Sequence, residues 1–288
     1  LVIDEMQDYT PIQYAALNRM FPCQKTILGD YGQYINPNHL HCLEDLRTIY
    51  DKARFVELNK SYRSTYEIMC FAKKINHVSA LEPMERHGEP PELVPCLDAA
   101  DEIRKIREVI RRFRAGGNVS LGIILKTDAA ARDMYEVLAG YDGAKGNGSE
   151  GCEKEGSKRE GSKWEGSERE GSEREGNERE GNEGKRGKIG ESGAKERGIN
   201  LITRDSASFQ NGISITSVRM SKGLEFDEVL IPQADSRTYA SDFDRSLLYI
   251  ACTRAMHRLT LTYSGRETRF ISGQKLSGRH SGKESPGS

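Results

Sequence analysis

The sequence predicts an α/β fold built on a mainly parallel sheet. Short apolar runs of strand length alternate with segments of helical spacing. Two of the apolar runs end in Asp-Glu or Gly-Asp, carboxylates suited to the ligand-binding edge of an open sheet. One stretch, 142–198, departs from both patterns and divides the ordered chain into two.

Leu1-Val2-Ile3 reads as a buried strand. Ile12 to Phe21 has helical spacing, with Thr10 as N-cap and Pro11 as first helical residue. Thr26-Ile27-Leu28 is a second strand, ending at Gly29-Asp30, and the apolar run Phe55 to Leu58 follows a helix-like stretch. Asp98 to Phe113 is expected to be helical, Leu121 to Leu125 a strand, and Ala129 to Leu138 helical. Residues 142–198 repeat a pentapeptide, as in Glu165-Gly166-Ser167-Glu168-Arg169. A glycine at every fifth position costs a helix about 1 kcal/mol each. Apart from Trp164 the repeat has little apolar surface to bury, so it reads as a disordered, charge-balanced insertion. Beyond it, Ile213 to Val218 and Val229 to Ile231 read as strands, Phe243 to Met256 as a helix and Leu259 to Tyr263 as a closing strand. From about Glu267 the chain is expected to fray.

The 288 residues suffice for one large or two modest domains. A formal net charge of -1 excludes a bulk basic field that would draw the whole chain to nucleic acid, though not a local basic groove. None of the six cysteines forms a C-x-x-C pair, which argues against zinc and for free thiols in a reducing, cytoplasmic compartment. His39-Leu40-His41-Cys42 has no second cluster to complete a metal site and reads as a polar loop. No apolar run approaches the roughly 20 residues of a membrane span, so no membrane partner is expected.

Five segments carry chemistry. Asp4 and Glu5 end the first strand in adjacent carboxylates, followed by Gln7-Asp8. One carboxylate can hold the Mg²⁺ that bridges phosphates, and the next can orient and deprotonate an attacking water. Gln33 follows the second strand, where its amide can reach a terminal phosphate or that water. Arg63 offers a planar fork matching phosphate oxygens, and the neighbouring Tyr62 can stack on a base. Gly223 permits close backbone approach to a ligand, with Lys222 and Glu225 beside it for phosphate and ribose. Arg254 is expected on a helix before the last strand, from which an arginine can enter a phosphoryl-transfer site.

In order and spacing these segments resemble motifs II to VI of superfamily 1 helicases of the UvrD/Rep kind. The resemblance implies a RecA-like P-loop NTPase fold: a truncated first RecA-like domain over 1–58, then a second over 59–141 and 199–266. The insertion 142–198 would interrupt the second domain, with a disordered tail over 267–288. It implies ATP as substrate and Mg²⁺ as cofactor. Asp4 would be the metal ligand, Glu5 the catalytic base and Gln33 the γ-phosphate sensor. Arg63 and Arg254 would reach the γ-phosphate, Tyr62 would stack on adenine, Glu225 would touch the sugar, and Gln7 and Gly223 would also line the nucleotide. The phrases Asp4 to Tyr14, Pro22 to Asp30 and Glu82 to Gly88 are similar to the HelD-like branch, which implies action on RNA polymerase. DNA unwinding of the UvrD/Rep type is the alternative, and a catalytically dead remnant a third reading.

Two departures accompany the resemblance. No G-x-x-x-x-G-K-[ST] loop occurs in the sequence. A chain opening at Leu1 inside a strand reads as cut, so neither ATP hydrolysis by this chain alone nor stable folding of residues 1–58 is expected. The aromatic that stacks on DNA after the motif III glutamine is also absent: Asn38 falls near that place, and Tyr34 comes early.

Long surface loops cost little closure entropy, so deleting residues 145–195 is expected to leave the melting temperature nearly unchanged. Scanning calorimetry of the deletion checks this, and a drop of many degrees would mean that the insertion packs on the domain.

Overall fold

A computed structural model describes residues 1–30, 32–36, 43–76, 81–142, 198–204, 206 and 211–273. The repeat insertion, the loop holding Asn38 and His39 to Cys42, and the end of the tail lie outside them. In chain order the elements are β1 (Val2–Ile3), α1 (Pro11–Met20), β2 (Thr26–Ile27), α2 (Leu43–Ile49), β3 (Lys60–Ser61) and α3 (Tyr66–Asn76). Then come β4 (Glu82–Pro83), β5 (Glu92–Cys96), α4 (Ala99–Ala115), β6 (Ser120–Leu125), α5 (Asp128–Asp142) and β7 (Ile199–Leu201). The chain closes with β8 (Gly212–Ser217), α6 (Val218–Ser221), β9 (Phe226–Ile231), α7 (Asp242–Cys252) and β10 (Ala255–Ser264).

Six of these strands form a sheet in the order β5-β10-β9-β6-β8-β7, every described pairing parallel. The parallel α/β architecture expected from the sequence is therefore present. A parallel sheet is covered on both faces, so its central strands are largely buried, here with polar positions such as Ser120, Ser214, Thr216 and Glu228 among the apolar ones. β6 is buried at all its positions, and its side chains alternate between two helical layers. Leu121, Ile123 and Leu125 face α4 and α5, among Ile106, Ile110, Phe113, Met134 and Leu138. Ile124 faces the other way, towards Phe71 and Ile75 of α3 and Leu248 and Ile250 of α7.

The helices begin where side chains can cap them. Thr10 and Gln13 form a capping box ahead of Pro11, and Ser241 and Asp244 form another at α7. Asp98 accepts the Asp101 amide at the start of α4, which carries acidic residues in its first turn and Arg112 and Arg114 in its last, the distribution the helix dipole favours.

Residues 1–58 contain a separate two-stranded parallel sheet, β1-β2, with its own cluster of Ile3, Tyr14 and Leu46. Ile3 packs inward while Val2 on the opposite face stays 66% exposed. The run Phe55 to Leu58 forms no strand, and Val56 and Leu58 lie in solvent. Among the described residues, no helix is long and apolar enough to cross a membrane.

Three boundaries differ from the sequence reading. The last helix stops at Cys252 instead of Met256, because Ala255 already pairs with Phe226 as the start of β10. Val218 belongs to α6, not to the preceding strand, because the Ser217 hydroxyl caps that turn by accepting the Met220 amide. Nor does fraying begin at Glu267. That residue bridges Asp235, Thr268 donates its hydroxyl to the Tyr239 carbonyl, and Ile271 is fully buried.

A Cβ on Gly122 would lie 2.7 Å from the Phe226 ring, inside the layer of α3 and α7. Gly122→Ala is expected to cost about 1–3 kcal/mol by overpacking. A thermal melt should fall by several degrees and recover in part with Phe226→Leu; an unchanged melt would refute the close approach.

Candidate functional site

The site starts where β1 runs out. Glu5 takes a left-handed backbone conformation, φ 54° and ψ 48°, uncommon for a residue with a side chain. Its amide donates to Asp4 Oδ1 at 2.8 Å, and the next three residues make a single 3-10 turn. This places Gln7 wholly inside the protein. Gln7 Nε2 donates to Glu5 Oε2 at 2.7 Å and to the Gln33 carbonyl at 3.2 Å, while its Oε1 accepts the Asp30 amide at 3.0 Å. Gly29 has no room for a Cβ, which would collide with Met6 and the Gln7 amide. Burying an amide costs free energy unless its groups are paired, and here each end is paired.

The loop after β2 answers this turn. Asp30 accepts the Gly32 amide at 2.8 Å and the Gln33 Nε2 at 2.9 Å. Gln33 Oε1 in turn accepts from Arg254 Nη2. The loop also reaches the larger sheet's helices: Asn76 Nδ2 donates to the Gly32 carbonyl at 3.1 Å, and a Cβ on Gly32 would meet the Tyr249 ring at 3.0 Å. The Tyr249 hydroxyl is raised well above the ordinary tyrosine range by burial and by the Asp30 carboxylate.

Arg254 lies just past the end of α7 and is 2% exposed. Its Nε donates to the Ile250 carbonyl at 3.2 Å, Nη1 to the Leu224 carbonyl at 3.4 Å, and Nη2 to Thr253 Oγ1 at 3.2 Å as well as to Gln33. Burial, and then the charge of Arg63, lower its pKa to about 10. It therefore stays cationic at neutral pH.

Arg63 and Glu225 form an ion pair at 2.6 Å, each side chain 41% exposed. Tyr62 stands 66% exposed. Gly223 has φ +82° with open space where a Cβ would sit. Lys222 just before it is 7% exposed and bridges two carboxylates, Glu5 Oε2 at 3.0 Å and Asp8 Oδ2. Asp8 is held from its other oxygen by the Ile35 amide at 2.9 Å.

Glu5, Gln7, Gln33 and Arg254 thus form one continuous hydrogen-bonded chain, with Lys222 at its Glu5 end. Arg63 and Glu225 make a pair beside it. Asp4 is exposed, its one side-chain bond here being to the following amide. Four participants were not singled out as site residues from sequence: Asp30, Asp8, Asn76 and Tyr249. Asp30 sat in a recognised Gly-Asp turn, whereas nothing local marks the end of α3 or one tyrosine of α7.

Among the described residues, no three His, Cys, Asp or Glu side chains converge into a metal-holding cluster. Mg²⁺ is commonly bound through one or two carboxylates together with water and substrate phosphates. The oxygens of Asp4 and Glu5, free of thiolate or imidazole, fit that mode.

A groove lies apart from this network, along the C-terminal edge of β6 and β8. One cavity of about 170 Å³ is lined by Arg132, Arg204 and Met220 among others; a second of about 320 Å³ is lined by Lys126, Arg219 and Phe243 among others. The two share Asp128 and Ser217. The Tyr34 ring packs 6.1 Å from that of Phe243.

The sequence profile of the UvrD-like helicase C-terminal domain matches residues 212–262, which run from β8 into β10 and include Gly223, Glu225 and Arg254. No curated protein matches. Among solved structures, the chain is similar to the C-terminal domain of a possible DNA helicase from Lactobacillus plantarum WCFS1. The identity is 21%, over 74% of this chain and 92% of that one, with a TM-score of 0.46. It is also similar to the UvsW helicase of bacteriophage T4, at 10% identity over 89% of this chain and 73% of that one, with a TM-score of 0.31.

Gln7→Leu keeps the side-chain volume but orphans the Asp30 amide and removes a donor from Glu5. A cost of about 1–3 kcal/mol is expected for the buried group left unpaired. Hydrogen exchange should rise across residues 1–36 while β6, β8 and β9 stay protected; equal protection in both regions would show that the amide does not organise the turn.

Proposed function

We propose that this chain is the C-terminal part of a superfamily 1 helicase-type motor that couples ATP hydrolysis to movement on single-stranded nucleic acid. The buried Arg254, bonded to Gln33 across 221 positions of sequence, is the observation that carries the reading. It joins the end of α7 to the loop after β2, so a group bound at one can be felt at the other. In this reading residues 1–58 belong to one RecA-like unit, and residues 59–141 with 199–266 to a second.

Each side chain then has a task. Asp4 would hold Mg²⁺, which would supply charge neutralisation for the phosphates. Glu5 takes the proton of the attacking water. Gln33, fixed between Asp30 and Arg254, reads the terminal phosphate. Arg254 and Arg63 stabilise the transition-state charge, a contribution of about 10³–10⁵ in rate for arginines so placed. Tyr62 is free to stack on adenine, and Gly223 and Glu225 border the sugar. The basic side chains Arg132, Arg204 and Arg219 with Phe243 offer the pairing of positive charge and aromatic face that suits a single strand. The free Cys23, Cys70, Cys96 and Cys252 suit a reducing compartment such as the cytoplasm.

A second reading, HelD-like remodelling of RNA polymerase, is favoured by the ring of Tyr34. It packs on Phe243, which limits its use as a stacking platform for a base.

Titration with Mg²⁺ and a fluorescent ATP analogue should give weak, saturable binding. Arg63→Ala, at a half-exposed position, should weaken it on the order of tenfold without unfolding the chain; absence of saturable binding refutes the nucleotide site. Steady-state phosphate release should stay at the level of an Arg254→Ala control, because the phosphate-cradling loop does not occur in this sequence. Anisotropy with labelled single-stranded DNA should fall for Arg132→Glu/Arg204→Glu and with salt. Nucleotide binding without DNA binding would favour the polymerase reading.

A further inference from the structure

We propose that Lys222 acts as an internal counter-ion that holds Glu5 and Asp8 together, and that a divalent cation entering beside Asp4 displaces it. This rests on the reading of Asp4 and Glu5 as a metal-binding pair. A lysine ammonium is rarely buried unless it is paired, because removing a charge from water is costly. Lys222 is 7% exposed, and the anions it faces are Glu5 and Asp8. Glu5 Oε2 accepts from Lys222 and from Gln7 together, so the oxygen expected to take a proton from water is already engaged twice. The resting site is therefore closed on itself.

The arrangement is also built to open. Lys222 ends the short helix α6 and is followed by Gly223, with φ +82° and no atom within 4 Å of where its Cβ would be. Asp8 stays in place through the Ile35 amide when the ammonium leaves. A divalent ion carries twice the charge of an ammonium and prefers carboxylate oxygen, so it competes directly for Glu5. Lys222 is thus a positioning residue: it sets where the Glu5 carboxylate points before the metal arrives.

The test is a titration with Mn²⁺ alone, followed by electron paramagnetic resonance. Lys222→Met should bind Mn²⁺ tighter by on the order of tenfold, since two carboxylates lose their competing cation. Lys222→Arg, which keeps the charge, should bind as the unmodified chain does. A purely structural lysine predicts the opposite, and equal or weaker Mn²⁺ binding by Lys222→Met overturns the proposal. Absence of Mn²⁺ binding in every form overturns it together with the metal-site reading; binding by the unmodified chain without the methionine effect overturns it alone. The unmodified chain gives a second readout that does not depend on how the variants fold. Mn²⁺ should raise hydrogen exchange across residues 221–224, and unchanged exchange there also overturns the proposal.

Discussion

A buried guanidinium sets the terms for this molecule. Arg254 is 2% exposed, and its desolvation must be offset by hydrogen bonds with good geometry. Those bonds go to the end of α7, to the loop ahead of β9 and to Gln33 in the segment after β2. One side chain therefore ties together three pieces of backbone that are far apart in sequence. The strand β10 begins immediately after it, which is why α7 ends at Cys252.

The six-stranded sheet makes that burial feasible. Its inner strands are buried on both sides, and α3 with α7 close one face while α4 with α5 close the other. Lys222 and Glu225 fall on the connection from β8 to β9, where α6 and Gly223 carry the chain from one strand end to the next. The smaller β1-β2 sheet and the loop after it meet the larger sheet's helices through polar contacts, Gln33 to Arg254, Asn76 to the Gly32 carbonyl, and Lys222 to Glu5 and Asp8, and through the apolar side chain of Ile35 and the Tyr34 ring against Phe243. The polar contacts respond to charge and to cations, whereas the packing of the larger sheet does not.

Much of the fold was legible in local patterns. The apolar run of β6, the cap at Thr10 and the helical spacing of α4 each follow from chemistry within a few residues. Where reading failed, the deciding contact was distant. Thr268 and Ile271 sit in a Gly- and Ser-rich tail that looks mobile, yet Asp235 and Tyr239 hold it. Val56 and Leu58 look like a strand, yet among the described residues no neighbouring strand receives them.

By itself the sequence marked the side chains proposed here for a nucleotide site: Asp4 and Glu5 behind a strand, Gln33, Arg63, Glu225 and Arg254. It did so because strand ends, glycine turns and adjacent carboxylates leave a local signature. Only the tertiary structure decided how these groups are spent. Gln7 faces inward, both its amide ends held by protein; Arg63 neutralises Glu225; and Lys222 joins Glu5 to Asp8. The physical reason is that partnership between charges depends on distance through space, and the fold brings Arg63 to Glu225, and Lys222 to Glu5 and Asp8, from more than a hundred positions apart in the chain.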